Sequence, residues 1–294
     1  MLKSVYHPEY QYLKLLKNII DNGEIIQGRN GITKTIFGTS MRFSLENEFP
    51  LLTTKKMAWK TCLKELLWFI SGDTDNKNLK KQNVHIWDKN GTRKYLDSRN
   101  LYYLKEDDLG PIYGHQWRSF NAPYINSEIK LENHGVDQLQ NIIDKLSCPK
   151  ERYSRRLILS AWNPQQLNQM ALPPCHIISQ FHVNMKNELS CSLYQRSGDV
   201  GLGIPFNIAS YSFLTYLLAK HCNLKPKEFI HFIGNAHIYE EHEESLMEQL
   251  LRKPKKFPKL YLKQKREDIN NYNINDFVLE NYNYCSKINM DMKE

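Results

Sequence analysis

An α+β fold, with helices packed on a large mixed, mostly antiparallel sheet, follows from three features of the sequence. Runs such as "KTIFGTSMRFSL", "IISQFHVNM" and "ELSCSLYQR" alternate apolar and polar residues with the period of a strand. Two stretches, "WKTCLKELLWFISGD" and "FNIASYSFLTYLLAKHC", are apolar almost all round, as buried helices are. No repeat, low-complexity stretch or linker divides the 294 residues, 41% of them hydrophobic and 12% aromatic, so a single domain over residues 1 to 294 is expected.

The elements read in order. Pro8, apolar residues at 12, 13, 16, 19 and 20, and Gly23 mark an opening helix. The strand "KTIFGTSMRFSL" and the helix from Trp59 follow. Residues 88 to 134 are polar and turn-rich and read as loops around "LGPIYGHQW". The helix "VDQLQNIIDKLS" precedes three strands, "RRLILSAW", "IISQFHVNM" and "ELSCSLYQR"; the last sets Leu189, Cys191 and Leu193 against Ser190, Ser192 and Tyr194. After the second apolar helix come a strand, "EFIHFIGNAHIY", and a polar-faced helix, "EEHEESLMEQLL".

The net charge of +8 is concentrated in "RKPKKFPKLYLKQKR", residues 252 to 266, whose eight Lys and Arg account for the whole excess. Alternating Leu260 and Leu262 suggest a strand with a solvated basic face, with RNA binding through it as the competing reading. The cysteines at 62, 148, 175, 191, 222 and 285 show no CxxC pairing, and "MLKSVYHPEYQY" lacks the apolar run of a signal peptide. Reduced thiols in a cytoplasmic or nuclear setting are expected. No apolar run approaches the roughly 18 to 20 residues of a membrane span, so no membrane partner is expected.

Cys175 stands out in "ALPPCHIISQFHV": Pro173 and Pro174 fix two φ angles on its approach and His176 follows it. A buried cysteine is ordinarily a small hydrophobe, and a nucleophile needs a nearby cation to lower its pKa; both readings stand for Cys175. Arg29 in "GRNG", Arg155 and Arg156 in "SRRL", and Arg196 with Ser197 in "QRSGD" sit at element edges, as surface arginines or as a phosphate cradle. Glu65 lies on the apolar helix, either at its surface beside Lys64 or buried with a raised pKa suited to proton transfer. Asn207 stands where a helix N-cap would, or reads a base edge. His237 and His242 near three glutamates lack HExxH spacing, so no metal site is expected.

Taken in order, "FPLLTTKK", "KELLWFISGDT", "VHIWD", "LGPIYGHQWR", "MALPPCH", "LYQRSGDVGLGIPFNIASY" and "GNAHIY" resemble folate-dependent thymidylate synthases of the eukaryotic type, from about Tyr10 onward. The resemblance implies reductive methylation of dUMP to dTMP by 5,10-methylenetetrahydrofolate, with Cys175 attacking uracil carbon 6. Glu65 and Tyr113 would move protons, with His176 in support. It places dUMP on Arg29, Gln195, Arg196, Ser197, Asp199, Asn207, His237 and Tyr239. Arg155 and Arg156 would reach in from the second subunit of a homodimer formed through the sheet face. Folate would meet Lys55, Lys56, Ile86, Trp87, Asn90, Leu172, Asp199, Gly203, Phe206 and Met292.

The chain departs from the family pattern at the loop "RNGITKT", at Ala58, at Asn235 in place of an aspartate, and at the tail ending in Lys293 and Glu294. A uracil-nucleotide hydroxymethylase on the same scaffold, and an RNA-binding regulator using residues 252 to 266, are the alternative functions.

Overall fold

The computed structural model describes residues 6–28, 30–131 and 134–293. Helix α1 (Tyr10–Asn22) buries the expected stripe of Tyr12, Leu13, Leu16 and Ile19. Gly23 ends it with its N–H on the Ile19 carbonyl. A Cβ there would lie 2.4 Å from that oxygen and 3.1 Å from the Thr35 nitrogen, so only glycine permits the close turn. Strands β1 (Glu24–Gly28) and β2 (Gly31–Ser44) form an antiparallel pair. β1 carries no alternation for a sequence to show, since all five residues are exposed.

Helix α2 (Trp59–Ile70) and the short α3 (Asn76–Lys80) come next. The region expected as loops from 88 to 134 instead contains α4 (Arg93–Ser98) and α5 (Tyr113–Ser119). Both are too short for a helical period to register. Tertiary contacts define α5, which buries Tyr113, Gln116 and Trp117. Helix α6 (Gln138–Ser147) is capped by the Asp137 carboxylate, which accepts from the Gln140 amide.

Strands β3 (Ile158–Ser160), β4 (His176–Val183) and β5 (Glu188–Asp199) precede helix α7 (Gly203–His221), strand β6 (Lys225–Tyr239) and helix α8 (Glu243–Leu250). The main sheet runs β1-β2-β6-β5-β4-β3 and is antiparallel except where β5 and β6 pair in parallel. The largely buried α7 packs on β5 and β6. It covers a face bearing Phe181, Cys191, Leu193, Phe229 and Ile233. On the opposite face Ile178, Tyr194 and Phe232 stand in register as a cross-strand row, each exposed. Phe37, 83% exposed, lies on the same sheet.

The basic segment forms β7 (Lys259–Leu262), which pairs with β8 (Phe277–Glu280). Leu260 and Leu262 point inward and Lys259 outward, as the alternation predicts. Several of its charges are engaged within the chain: Arg252 with Glu248, Arg266 with Asp276, and Lys255 with the Tyr284 carbonyl.

One buried side chain ties these parts together. Glu9, just ahead of α1, is fully buried, and its carboxylate accepts from the amide and hydroxyl of both Thr53 and Thr54 at 2.6 to 3.0 Å. The two hydroxyls in turn accept from the Lys255 amide and the Gln249 side chain, each at 2.8 Å. The "TT" of "FPLLTTKK" is therefore a junction between α1, α8 and the basic segment. Buried donors that lose an acceptor keep their desolvation cost. Glu9→Gln, which turns an N–H toward these donors, should lower unfolding free energy by about 3 kcal/mol or more. Urea denaturation with an unchanged slope would register it; a loss under about 1 kcal/mol would mean water replaces the carboxylate.

Candidate active site

Cys175 sits in the turn leading into β4, and Arg196 on β5 holds that turn from several directions. Its Nε donates to the Pro174 carbonyl at 2.7 Å and its Nη2 to the Pro173 carbonyl at 3.1 Å. The same Nη2 lies 3.8 Å from Cys175 Sγ, and the Arg196 amide donates to the Cys175 carbonyl at 2.8 Å. The prolines stiffen the lead-in, while their carbonyls, the only backbone polar groups they retain, anchor the guanidinium. A permanent cation thus stands beside this thiol. Burial instead pushes the Cys62 thiol well up, and Cys191 up to about 12. All six cysteines are thiols.

Tyr113, on α5, accepts from the Cys175 amide at 2.7 Å. Burial, reinforced by the neighbouring Cys175, drives its pKa well above that of a free phenol, so it is a neutral hydroxyl. The His176 ring stacks on Tyr113 at 4.0 Å and 14°, and its Nδ1 meets the Tyr211 hydroxyl at 2.8 Å. Burial, with a contribution from His231, pushes its pKa down to about 3. His176 is therefore a neutral packing partner of Tyr113 and not the cation beside Cys175, despite its place in the sequence.

Glu65 is not the surface residue that its neighbour Lys64 suggested. It projects from α2 into a partly open niche and accepts from the Trp87 indole at 2.7 Å. Burial raises its pKa to about 7, against the lowering effect of that hydrogen bond. Tyr113 lies within the electrostatic reach of both Cys175 and Glu65, so the thiol and the acid share one phenol as a neighbour.

Asn207 is not an N-cap. α7 begins at Gly203 after Leu202, without a side-chain cap, and Asn207 falls in the second turn. Its Oδ1 accepts from Gln195 Nε2 at 3.0 Å. Gln195 is buried and fits beside Gly198, where a Cβ would lie 2.9 Å from the Gln195 amide nitrogen and 2.3 Å from Ile204 Cδ1. Asp199 accepts from the Gly201 amide at 2.8 Å and so shapes the turn into α7. Parallel register sets Ser197 beside Asn235 and Asp199 beside His237. His237 Nδ1 meets Asn235 Oδ1 at 2.9 Å. Burial lowers the His237 pKa, with Asp199 opposing, and the Tyr239 ring stands edge-on to it at 5.5 Å.

Trp87 is buried, while Ile86, Leu172 and Phe206 pack partly buried against the core. The Asn90 Nδ2 is buried without an acceptor among the described residues. Gly203 leaves open room, since a Cβ at that position would meet nothing nearer than 4.0 Å. Lys55 is enclosed: its ammonium donates to the Gly201 carbonyl, and burial lowers its pKa to about 8 against the pull of Asp199 and Glu9. The exposed ammonium at this bend belongs to Lys56, over the Tyr284 ring. Met292 is 42% exposed in a tail tied down by His242 to the Asp291 carbonyl at 2.8 Å and by Lys293 to Glu241.

Two sequence-derived groups stand apart from this cluster. Arg155 and Arg156 are exposed on the approach to the edge strand β3, and no contact among the described residues joins their side chains to Cys175 or Arg196. Arg29 lies outside the described residues, as does Glu294. The sequence reading missed His231, buried on β6 with Nε2 at 2.9 Å from Gln195 Oε1. Its only signal was a buried position in the alternation of "EFIHFIG". Among the described residues no group of three or more His, Cys, Asp or Glu side chains is arranged to hold a metal ion. A surface groove of about 490 Å³, lined by Tyr6, Gln11, Arg42 and Glu228 among others, shares no residue with this site.

Residues 10–294 match the family model described as thymidylate synthase. The chain is 50% identical over 287 residues to the thymidylate synthase of Homo sapiens, covering 97% of this chain and 91% of that protein. It is 48% identical over 289 residues to that of Equine herpesvirus 2, covering 98% and 99%. Identity is also 50% over 292 residues with the bifunctional dihydrofolate reductase-thymidylate synthase of Plasmodium chabaudi, where 99% of this chain matches 50% of the relative. The chain thus spans about half the length of such bifunctional relatives. With an Arg-clamped thiol, a carboxyl raised to about 7 and a hydrogen-bonded pair of side-chain amides on the matched segment, the chain belongs to the thymidylate synthase family.

Proposed function

We propose that the chain is a thymidylate synthase, converting dUMP to dTMP with 5,10-methylenetetrahydrofolate as donor of both carbon and hydride, and releasing dihydrofolate. The observation that carries this reading is the Arg196 guanidinium held between the Pro173 and Pro174 carbonyls and the Cys175 sulfur. That contact favours the thiolate, the form that adds to an electron-poor uracil carbon 6. Addition leaves electron density at carbon 5, which bonds the one-carbon unit. A proton must then leave carbon 5, and Glu65, its pKa raised to about 7, suits that task with Tyr113 beside it. The bond from the one-carbon unit to the folate nitrogen would break, the freed tetrahydrofolate would give its hydride to the resulting methylene and become dihydrofolate, and the Cys175 thiolate would leave carbon 6.

Arg196 and Ser197 would take the phosphate together with Arg29, Asn207 the base edge, and His237 with Tyr239 the deoxyribose hydroxyl. Folate would lie against Ile86, Trp87, Leu172, Phe206 and the open room at Gly203. The unpaired Asn90 amide is a buried donor suited to such a polar heterocycle, and Asp199 an acceptor. Lys56 is better exposed than Lys55 for an acidic folate tail. Met292 would join the site through the tail.

A homodimer through the sheet face is part of the proposal. The row of Ile178, Tyr194 and Phe232, with Phe37 and Ile158, exposes large apolar side chains on one face, as a self-complementary interface would before association. Arg155 and Arg156 lie exposed at the sheet edge, where they would serve the partner's phosphate site. Thiols throughout fit a reducing, cytoplasmic or nuclear compartment. No helix among the described residues is long and apolar enough to cross a membrane. The RNA-binding alternative gains nothing from the basic segment, several of whose charges are engaged internally.

Incubation of the protein with dUMP and methylenetetrahydrofolate should produce the absorbance of dihydrofolate. Tetrahydrofolate with hydroxymethyl-dUMP would identify the hydroxymethylase instead. Cys175→Ser should abolish turnover and the covalent complex with 5-fluoro-dUMP while the protein stays folded.

Glu65→Gln should lower kcat by about 10²- to 10⁴-fold. The wild-type acid limb should fall near pH 7, and Trp87→Phe, which removes a bond favouring the carboxylate, should move it upward. Because folding raises the Glu65 pKa from 4.5 to about 7, its stabilising contribution is full below pH 4.5 and is lost as pH rises through 7. Glu65→Gln should therefore gain stability relative to wild type at pH 8 and not at pH 4. The opposite pattern in a thermal melt would refute the burial assignment.

Mixing Arg156→Ala subunits with Cys175→Ser subunits should restore about one working site per heterodimer if the arginines act across the interface. Absence of rescue in a mixture shown to exchange subunits would place Arg156 outside the partner's site.

A further inference from the structure

Gln195 is a site amide held at both ends, its nitrogen by the Ser197 carbonyl and its oxygen by His231. Its Nε2 donates to the Ser197 carbonyl at 2.9 Å, and a carbonyl can only accept, so the nitrogen must lie on that side. The second N–H of the same nitrogen points at Asn207, 3.0 Å away, so the atom facing it must be the acceptor Oδ1. On its other side Gln195 Oε1 faces His231 Nε2 at 2.9 Å, which must therefore be the protonated ring nitrogen. His231 Nδ1 is buried with no partner among the described residues, in keeping with a neutral ring carrying its proton on Nε2. Burial, which pushes its pKa down to about 3, keeps it so.

We propose that His231 is a positioning residue which, through Gln195, fixes the direction of the Asn207 amide and thereby selects a 4-oxo over a 4-amino pyrimidine. The inference rests on the nucleotide reading of the site given above. A uracil edge offers an N3–H donor and an O4 acceptor, matching Asn207 Oδ1 and Nδ2 in the observed orientation. A cytosine edge offers the reverse and would require Asn207 to rotate. Rotation would set Asn207 Nδ2 against the Gln195 N–H, two donors facing each other in a partly buried setting. Gln195 cannot relieve this by rotating in turn, because its own oxygen would then face the Ser197 carbonyl and its nitrogen the His231 N–H. Discrimination between the bases is thus lodged in a chain of hydrogen bonds ending at a histidine that touches no substrate.

The test compares binding of dUMP and dCMP to wild type, His231→Phe and His231→Gln by calorimetry, with dUMP kcat measured alongside. His231→Phe keeps an aromatic ring but loses the donor, and should reduce the dUMP-to-dCMP affinity ratio about tenfold, the scale of one buried hydrogen bond. Its kcat for dUMP should change much less than that ratio. His231→Gln, which retains an N–H, should recover the ratio. An unchanged ratio in a folded His231→Phe protein that still binds dUMP would overturn the positioning role and leave the nucleotide reading intact. A wild-type protein that binds neither nucleotide would remove that reading, and this inference with it. Should His231→Phe fail to fold, the ¹⁵N spectrum of the wild-type histidines decides: protonated Nε2 at His231 supports the proposal, and protonated Nδ1 overturns it.

Discussion

A single buried carboxylate holds together parts of the chain that are far apart in sequence. Glu9 accepts from Thr53 and Thr54, and their hydroxyls then accept from Gln249 and Lys255. Further bonds converge on the same two residues: Arg252 donates to the Thr54 carbonyl and Cys285 to that of Thr53. The start of α1, the bend before α2, the end of α8 and the chain toward its tail thus meet at one polar node inside an otherwise apolar core. The next residue, Lys55, extends the node to the Gly201 carbonyl and so to the turn that leads into α7. That helix carries Asn207.

The Cys175 turn is organised on a similar principle, with an arginine as its centre. Arg196 spends its backbone amide, Nε and Nη2 on three consecutive residues, Pro173, Pro174 and Cys175. A β-bulge between His176 and Ile178 follows at once, where β4 settles into register with β5. The thiol is therefore held by two strands at once. Tyr113 and His176 beside it, and Tyr211 behind His176, are all kept neutral by burial, while the Arg196 guanidinium brings a positive charge to 3.8 Å from the sulfur.

Much of this was legible in the sequence because it follows from local pattern. The alternation of Leu189, Cys191 and Leu193, the apolar surfaces of α2 and α7, and the stiff frame of Cys175 all appear as expected. What escaped depends on distance through space. Helix α5 is two turns long and held by burial of Tyr113 and Trp117, so it has no period to detect. Asn207 resembled a cap because its helix starts with Gly203, Ile204 and Pro205, residues that carry little helix signal. Lys55 was expected against folate, and its enclosure depends on a partner 146 positions away. His231 had a face but no visible partner, since Gln195 reaches it only across the β5–β6 pairing.

The two faces of β5 carry different duties in adjacent residues. Gln195 points inward to Asn207 and His231, while Tyr194 points outward in the apolar row with Ile178 and Phe232. Side chains on a strand change face at every step. An insertion or deletion of one residue in β5 would send the amide to the outer surface and the tyrosine into the core at the same stroke. The strand can accept changes of composition far more readily than a change of length, and its residue count is itself a specification of the molecule.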